Sequence, residues 1–311
     1  MNCRTVLALV SQRHDLSAFK PMIEDADPGL DVVVWPDPRC HDAEIIAGWE
    51  VPPGLCARMP RLRLVHSIAA GVDNVIAGQA LHAIPVCRVV DPLLAEGMLQ
   101  YVLWAVLYFH RRFDEALRSG ARHAWTRPVQ TPAAQCRVGL MGLGEMASRV
   151  ATILPSLGYT VNGWVRTPRE FQGVNVFSGE AGLLPFLRAT DVLVCLLPLT
   201  GATRGILSHT TLDALPRGAA LVHCGRGEHL VERDLIEAIA RGPLRGAVID
   251  VFEQEPLHTD SPLWSTPGVL ITPHMATMAR PETVVAQVVE NAARLRRGEA
   301  LVRRVDLELG Y

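Results

Sequence analysis

Residues 139–150 read GLMGLGEMASRV, and their neighbours decide the fold. Just before the glycines, RVGLM at 137–141 has the apolar run of a buried strand. Just after them, MASRVATILPSLG at 146–158 takes up the apolar spacing of a helix. The segment Gly142-Leu143-Gly144-Glu145-Met146-Ala147 therefore joins strand to helix. A phosphate-binding glycine loop requires that position, whereas the glycine pattern by itself also fits an ordinary turn. Gly142 permits the tight turn, Gly144 lets the backbone approach a pyrophosphate, and Ala147 keeps helix and strand close. The N–H groups that open the helix then bind the phosphates.

Working outward, short apolar runs alternate with helical stretches along all 311 residues. Strands are expected at 5–10, 31–35, 43–49, 62–67 and 84–89. One long apolar helix follows, from near Pro92 to about Arg118. After the connector HAWTRPVQTPAAQ (123–135), six further strands are expected at 136–141, 160–165, 191–198, 218–224, 245–252 and 268–273. Near-continuous apolar strands separated by helices indicate parallel sheets covered on both faces. The length exceeds one typical core of about 100–200 residues, so two α/β domains are expected, the second matching a six-stranded doubly wound domain.

Composition narrows the function. A formal charge of −2 with no like-charge blocks argues against nucleic acid, because phosphate backbones need a basic surface. The most membrane-like stretch, GMLQYVLWAVLYF (97–109), is uncharged for 13 residues. A span needs about 18, so a helix buried in protein is expected and no membrane partner. The N-terminal run reads as a first strand, with no cleavage site of a signal peptide. Seven cysteines without a C-x-x-C pair fit a reducing cytoplasm and offer no metal site.

The second strand after the glycine loop ends GWVRTPRE (163–170). NAD-specific loops place an Asp or Glu about 20 residues on, where it holds the ribose 2′-hydroxyl. Val165 stands there instead, followed by Arg166, Thr167 and Arg169. An acid repels a 2′-phosphate and arginine pairs with it, which favours NADPH while leaving NADH possible.

Three later strand ends carry polar side chains: Arg226 between Gly225 and Gly227, Asp250 with Glu253 and Glu255 beyond it, and His274. In a doubly wound sheet the carboxyl ends of strands share one edge, where ligands bind. Reduction of a 2-oxo acid needs a hydride on the carbonyl carbon and a proton on its oxygen. His274 suits the proton, Glu255 beside it would favour the imidazolium, and Arg226 suits the substrate carboxylate and the developing oxyanion. The flanking glycines would let the backbone come close to a cofactor. Each residue has a plainer structural use, and the weight lies in all three following a phosphate loop in order.

Together with GLMGLGEMA, the segments LLPLTGATRGIL (196–207), HCGRGEHLVERDLIEAI (223–239), GAVIDVFEQEPL (246–257), ITPHMA (271–276) and SIAAGVDN (67–74) resemble the D-isomer-specific 2-hydroxyacid dehydrogenases over nearly the whole chain. The resemblance implies a flavodoxin-like substrate domain, residues 1–98 plus 280–311, and a Rossmann cofactor domain, residues 99–279, with an active-site cleft between them. It places the catalytic Arg, Glu and His on Arg226, Glu255 and His274. It places cofactor contacts on Gly142, Gly144, Glu145, Met146, Leu197, Pro198, Leu199, Thr203, Cys224, Gly225 and Asp250, the last at the nicotinamide carboxamide. Trp49, Ala70 and Gly71 fall at substrate positions with Arg226 and His274. It further implies reduction of a small 2-oxo acid, glyoxylate or hydroxypyruvate, by a cytoplasmic homodimer packed through the long helix. NADH-dependent turnover of another 2-hydroxy acid needs only pocket changes. A nucleotide-sensing, corepressor-like protein is the alternative from another class. Two departures stand out: Glu145 brings an acid near the phosphates, and Cys224 near the nicotinamide is expected to react with thiol reagents.

Overall fold

A computed structural model of the chain describes residues 4–81 and 83–307, so Cys3 lies outside the described residues. The chain divides into two compact units, Met1–Pro92 with Met278–Tyr311, and Leu93–Thr277.

The first unit is built on β1 (Thr5–Val10), β2 (Leu30–Val34), β3 (Ile45–Gly48), β4 (Leu64–Ser67) and β5 (Val86–Cys87). All pairings are parallel, in the order β2-β1-β3-β4-β5. That is the flavodoxin-like arrangement. Ile45, Ile46 and Ala47 are wholly buried, as expected for a strand covered on both faces. The C-terminal helix Pro281–Arg297 belongs to this unit. From it, the Gln287 amide accepts from the Val90 N–H at 3.0 Å and donates to the Val90 carbonyl at 2.6 Å. Asn291 does the same with Val302, at 2.9 and 3.0 Å. Two buried amides thus satisfy backbone groups just beyond β5 and in the tail that follows the helix.

The second unit contains β6 (Arg137–Met141), β7 (Thr160–Val165), β8 (Asn175–Ser178), β9 (Val192–Cys195), β10 (Ala219–His223), β11 (Leu244–Ile249) and β12 (Val269–Ile271). They run parallel in the order β12-β11-β10-β9-β6-β7-β8. This is the doubly wound order of a dinucleotide-binding sheet with one strand added beyond β11, and the chain reverses direction across the sheet between β6 and β9.

Two expectations are corrected here. Seven strands follow the connector, not six, because β8 is a short edge strand. Its residues are half-buried or exposed, so its sequence lacks the apolar run that marks the central strands. The expected single helix is two, Pro92–His110 and Phe113–Gly120, broken at Arg112 with φ +61°. Neither glycine nor proline marks the break. The Phe109 carbonyl, which a continuous helix would give to the N–H of residue 113, instead accepts from the Arg112 N–H at 3.0 Å and from the Arg245 guanidinium. The same guanidinium pairs at 3.5 Å with Asp114, itself buried in the first turn of the second helix.

The apolar helix Pro92–His110 is long and apolar enough to cross a membrane, yet half of it is buried. Val102, Ala105, Val106 and Phe109 are fully buried and join Val138, Leu140 and Val248 in one core. Burial of such side chains contributes about 1.5–3 kcal/mol each, which accounts for the apolar composition without a bilayer. Leu93, Trp104 and Leu107 remain exposed.

Candidate active site

The glycine loop leaves β6 and enters the helix Glu145–Ser156, with Gly144 as its N-terminal cap residue. Gly142 has φ +92°, where a side chain is strained, and a Cβ there would lie 3.1 Å from the Leu196 carbonyl oxygen. A Cβ on Gly144 would meet nothing within 4 Å, so that backbone faces open space. Ala147 is buried against the sheet. Turn, open backbone and helix N-terminus together fit a pyrophosphate. Glu145 is exposed and Met146 half-buried at the same end.

Past β7, Val165 is buried, whereas Arg166, Thr167 and Arg169 are exposed. Arg169 donates to the carbonyl of Leu143, inside the glycine loop. The basic segment is thereby tied to the phosphate loop, in a place where it can face a 2′-phosphate. Beyond β9, Pro198 begins a turn closed by Thr203, whose hydroxyl donates to the Pro198 carbonyl at 2.8 Å and accepts from the Thr200 N–H at 2.8 Å. Leu197 beside it is nearly buried.

Arg226, Glu255 and His274 follow the carboxyl ends of β10, β11 and β12. His274 Nδ1 lies 2.7 Å from Glu255 Oε2, and the other carboxylate oxygen accepts from the Phe252 N–H at 3.0 Å. Burial works to raise the Glu255 pKa, but the hydrogen bonds from His274 and Phe252, with the charges of His274 and Arg226, outweigh it. The carboxyl is held below its ordinary value and stays ionised at neutral pH. An ionised acceptor fixes the proton of His274 on Nδ1 and directs Nε2 to whatever binds beside it. His274 sits in the left-handed region, φ +52°.

Asp250 shows how that conformation is held. Its carboxylate is buried and accepts from the Thr272 hydroxyl at 2.6 Å and from the Met275 and Ala276 N–H groups at 2.9 Å each. Its carbonyl accepts from the His274 N–H at 2.9 Å. Asp250 therefore holds the backbone on both sides of His274. Tyr101 extends the network through Thr272, at 2.5 Å between hydroxyls. Neither Tyr101 nor Thr272 stands out in the sequence, because Thr272 meets Asp250, and Tyr101 meets Thr272, only through the fold.

The glycines around Arg226 serve packing within the protein. A Cβ on Gly227 would lie 1.8 Å from the Phe252 carbonyl carbon, and one on Gly225 would lie 2.8 Å from His229 Nδ1. The Arg226 loop is thus pressed against the loop that carries Glu255. Arg226 is half-buried, and its guanidinium donates to the Gly225 carbonyl at 2.9 Å.

Cys224 departs from expectation. It is buried, and burial first, then the charge of Asp250, push its thiol well above the ordinary range. Thiol reagents act on thiolates that are exposed and low in pKa, so Cys224 is chemically quiet. Donor atoms of Cys195, His223 and His229 come within 4.8 Å of one another in the core beneath this loop. Both nitrogens of His229 and one of His223 are already committed to backbone groups.

In the first unit, Trp49 follows β3 and Ala70-Gly71 follow β4, all half-buried. Ser67 Oγ accepts from the Ala69 N–H at 3.2 Å and donates to the Gly71 carbonyl at 2.7 Å, which sets the shape of that loop.

Known proteins match this arrangement. Residues 103–276 fit the family model for the D-isomer specific 2-hydroxyacid dehydrogenase, NAD binding domain. Glyoxylate/hydroxypyruvate reductase A of Klebsiella pneumoniae (strain 342) is 35% identical over 308 residues, 96% of this chain and 98% of that protein. A crystal structure of a D-isomer specific 2-hydroxyacid dehydrogenase family protein from Klebsiella pneumoniae 342 superposes with a TM-score of 0.92 at 40% identity, covering 98% of both chains. The NADPH-dependent glyoxylate/hydroxypyruvate reductase of Sinorhizobium meliloti, solved with NADP and sulfate, gives 0.88 at 33% identity over 99% of this chain and all of that one. The family model covers more than half of the chain and the relatives align with nearly all of it, and the chain belongs to the D-isomer-specific 2-hydroxyacid dehydrogenase family.

Proposed function

We propose that this chain is an NADPH-preferring reductase that converts glyoxylate to glycolate and hydroxypyruvate to D-glycerate. The observation that carries the reading is the 2.7 Å pair of His274 Nδ1 with an ionised Glu255, at the strand edge that also bears the glycine loop and Arg226. When bound, the nicotinamide supplies the hydride. Arg226 pairs with the substrate carboxylate and stabilises charge on the carbonyl oxygen, and His274 gives that oxygen its proton from Nε2. Glu255 balances the imidazolium before transfer and keeps the ring in register. Asp250 is assigned to holding the backbone around His274 and, by resemblance to the family, to the nicotinamide carboxamide. Trp49, Ala70 and Gly71 are assigned to the substrate by resemblance to the family.

The preference for NADPH rests on Val165 standing where an acid would hold a 2′-hydroxyl, with Arg166, Thr167 and Arg169 exposed just beyond. The NADP-bound relative from Sinorhizobium meliloti supports the same choice. Gly142, Gly144, Glu145 and Met146 take the pyrophosphate side, and Leu197, Pro198, Thr203, Cys224 and Gly225 line the segment beside it. Among the described residues six cysteines are free, which supports a reducing compartment such as the cytoplasm. The exposed Leu93, Trp104 and Leu107, with Phe113 and Leu117 on the next helix, support homodimerisation through this surface. Light scattering that gives only the mass of one chain at micromolar concentration would remove the dimer.

The deciding assay follows loss of NADPH, and separately NADH, with glyoxylate, hydroxypyruvate and pyruvate. Rapid NADPH oxidation with the first two is expected. Turnover with NADH alone overturns the cofactor assignment, and no turnover with any pair overturns the enzyme.

A further inference from the structure

We propose that His229 and His223 are positioning residues that set the aim of Arg226, holding its peptide from both sides; this rests on the role given to Arg226 above. Both imidazoles are fully buried. His229 Nδ1 accepts from the Arg226 N–H at 3.0 Å, and its Nε2–H donates to the Pro198 carbonyl at 3.2 Å. His223, the last residue of β10, directs Nε2–H to the Arg226 carbonyl at 2.8 Å. The same carbonyl accepts from the His229 N–H at 3.0 Å. The two rings stand 5.7 Å apart.

Each half of the clamp demands a particular ring. An acceptor at Nδ1 of His229 and a donor at Nε2 describe one neutral tautomer, which a protonated ring cannot supply. For His223, burial drives the ring strongly toward the neutral form, and its Nδ1 has no hydrogen-bond partner among the described residues. A core position that leaves a nitrogen unpaired is costly unless the other nitrogen matters. Here that other nitrogen reaches the carbonyl of Arg226. Gly225 is required by the same device, since a Cβ there would lie 2.8 Å from His229 Nδ1. Through the Pro198 carbonyl, His229 also joins the Arg226 loop to the Pro198–Thr203 turn, so one buried ring couples two loops of the proposed site.

The test compares His229→Leu, which removes the acceptor, with His229→Asn, whose amide oxygen falls near the place of Nδ1. Arg226→Ala serves as control in the same glyoxylate assay. A misaimed guanidinium costs about 10- to 100-fold in kcat/KM for the oxo acid, the usual effect of a 1 Å displacement. His229→Leu is expected to show that loss with a raised KM for glyoxylate, and His229→Asn to recover most of it. KM for NADPH should shift alike in both His229 variants, since both release the Pro198 carbonyl, whereas KM for glyoxylate should separate them. Equal losses in both His229 variants would overturn the clamp, because restoring the acceptor would not matter. Loss in Arg226→Ala without loss in His229→Leu overturns the clamp alone. Full turnover in Arg226→Ala overturns the role of Arg226 and the clamp with it. Should His229→Leu fail to fold, His223→Leu against His223→Gln, which keeps a donor for the Arg226 carbonyl, makes the same comparison from the other side.

Discussion

Replacing Glu255 by Gln removes one charge and nearly no volume from the proposed proton-donating pair. In the structure both carboxylate oxygens are in use, Oε2 with His274 at 2.7 Å and Oε1 with the Phe252 N–H at 3.0 Å. A glutamine has a single acceptor oxygen. If it serves Phe252, its NH2 group faces His274 Nδ1 and keeps that nitrogen unprotonated, so the ring is denied the imidazolium form that can release the Nε2 proton. If it serves His274, the amide faces the Phe252 N–H and the loop must shift. Either way the charge-assisted bond, worth about 1.5–3 kcal/mol, is lost at the step where the imidazolium is needed. Side chains a third exposed feel some solvent screening, so the expected fall in kcat for glyoxylate is about 10- to 100-fold. KM for NADPH should stay near its original value, because Glu255 lies at the other end of the proposed site from the basic loop. Steady-state NADPH oxidation measures both constants. A kcat within about twofold of the unmodified enzyme would refute the coupling of Glu255 to His274.

Arg166→Ala is expected to raise KM for NADPH far more than KM for NADH, and equal effects would defeat the 2′-phosphate argument. Arg169→Ala should weaken both cofactors, because Arg169 also holds the Leu143 carbonyl of the glycine loop. Gly227→Ala would place a Cβ 1.8 Å from the Phe252 carbonyl carbon. Backbone cannot yield as a flexible side chain does, so a stability loss of about 3 kcal/mol or more is expected in thermal melts, and an unchanged Tm would contradict the packing. Stability should also fall in acid through buried histidines, with the sign set by linkage. Burial lowers His66 to about 4 and His223 to about 3, so below about pH 6.5 the unfolded chain takes up protons that the folded chain refuses. Each histidine then contributes stability that is complete above that pH and declines by about 2 kcal/mol on reaching pH 5. Denaturant unfolding at both pH values checks this, and a flat profile would mean that both rings take up protons in the folded chain.

The sequence by itself determined whatever depends on neighbours along the chain. Parallel strands buried on both faces must be apolar throughout, so all but one of the strands were legible with small errors at their ends. The glycine loop was legible because turn, strand and helix are consecutive, and Arg226, Glu255 and His274 because each follows its own strand. Only the tertiary structure decided which of these residues meet. The His274–Glu255 pair depends on β11 and β12 lying side by side. The hydrogen bonds of the Asp250 carboxylate depend on Thr272, Met275 and Ala276 being folded back onto it from beyond β12, and the quiet chemistry of Cys224 on its depth. The helix break at Arg112 was invisible because Arg245, which bonds the Phe109 carbonyl and Asp114 on either side of it, is more than a hundred residues away. The edge strand β8 was missed for the opposite reason, since half-exposed residues need no apolar pattern. His223 and His229 were in plain sight within HCGRGEHL, but nothing local distinguishes a buried clamp from a solvated loop. Hydrogen bonds to a peptide three residues away become informative only when the fold has excluded water from them.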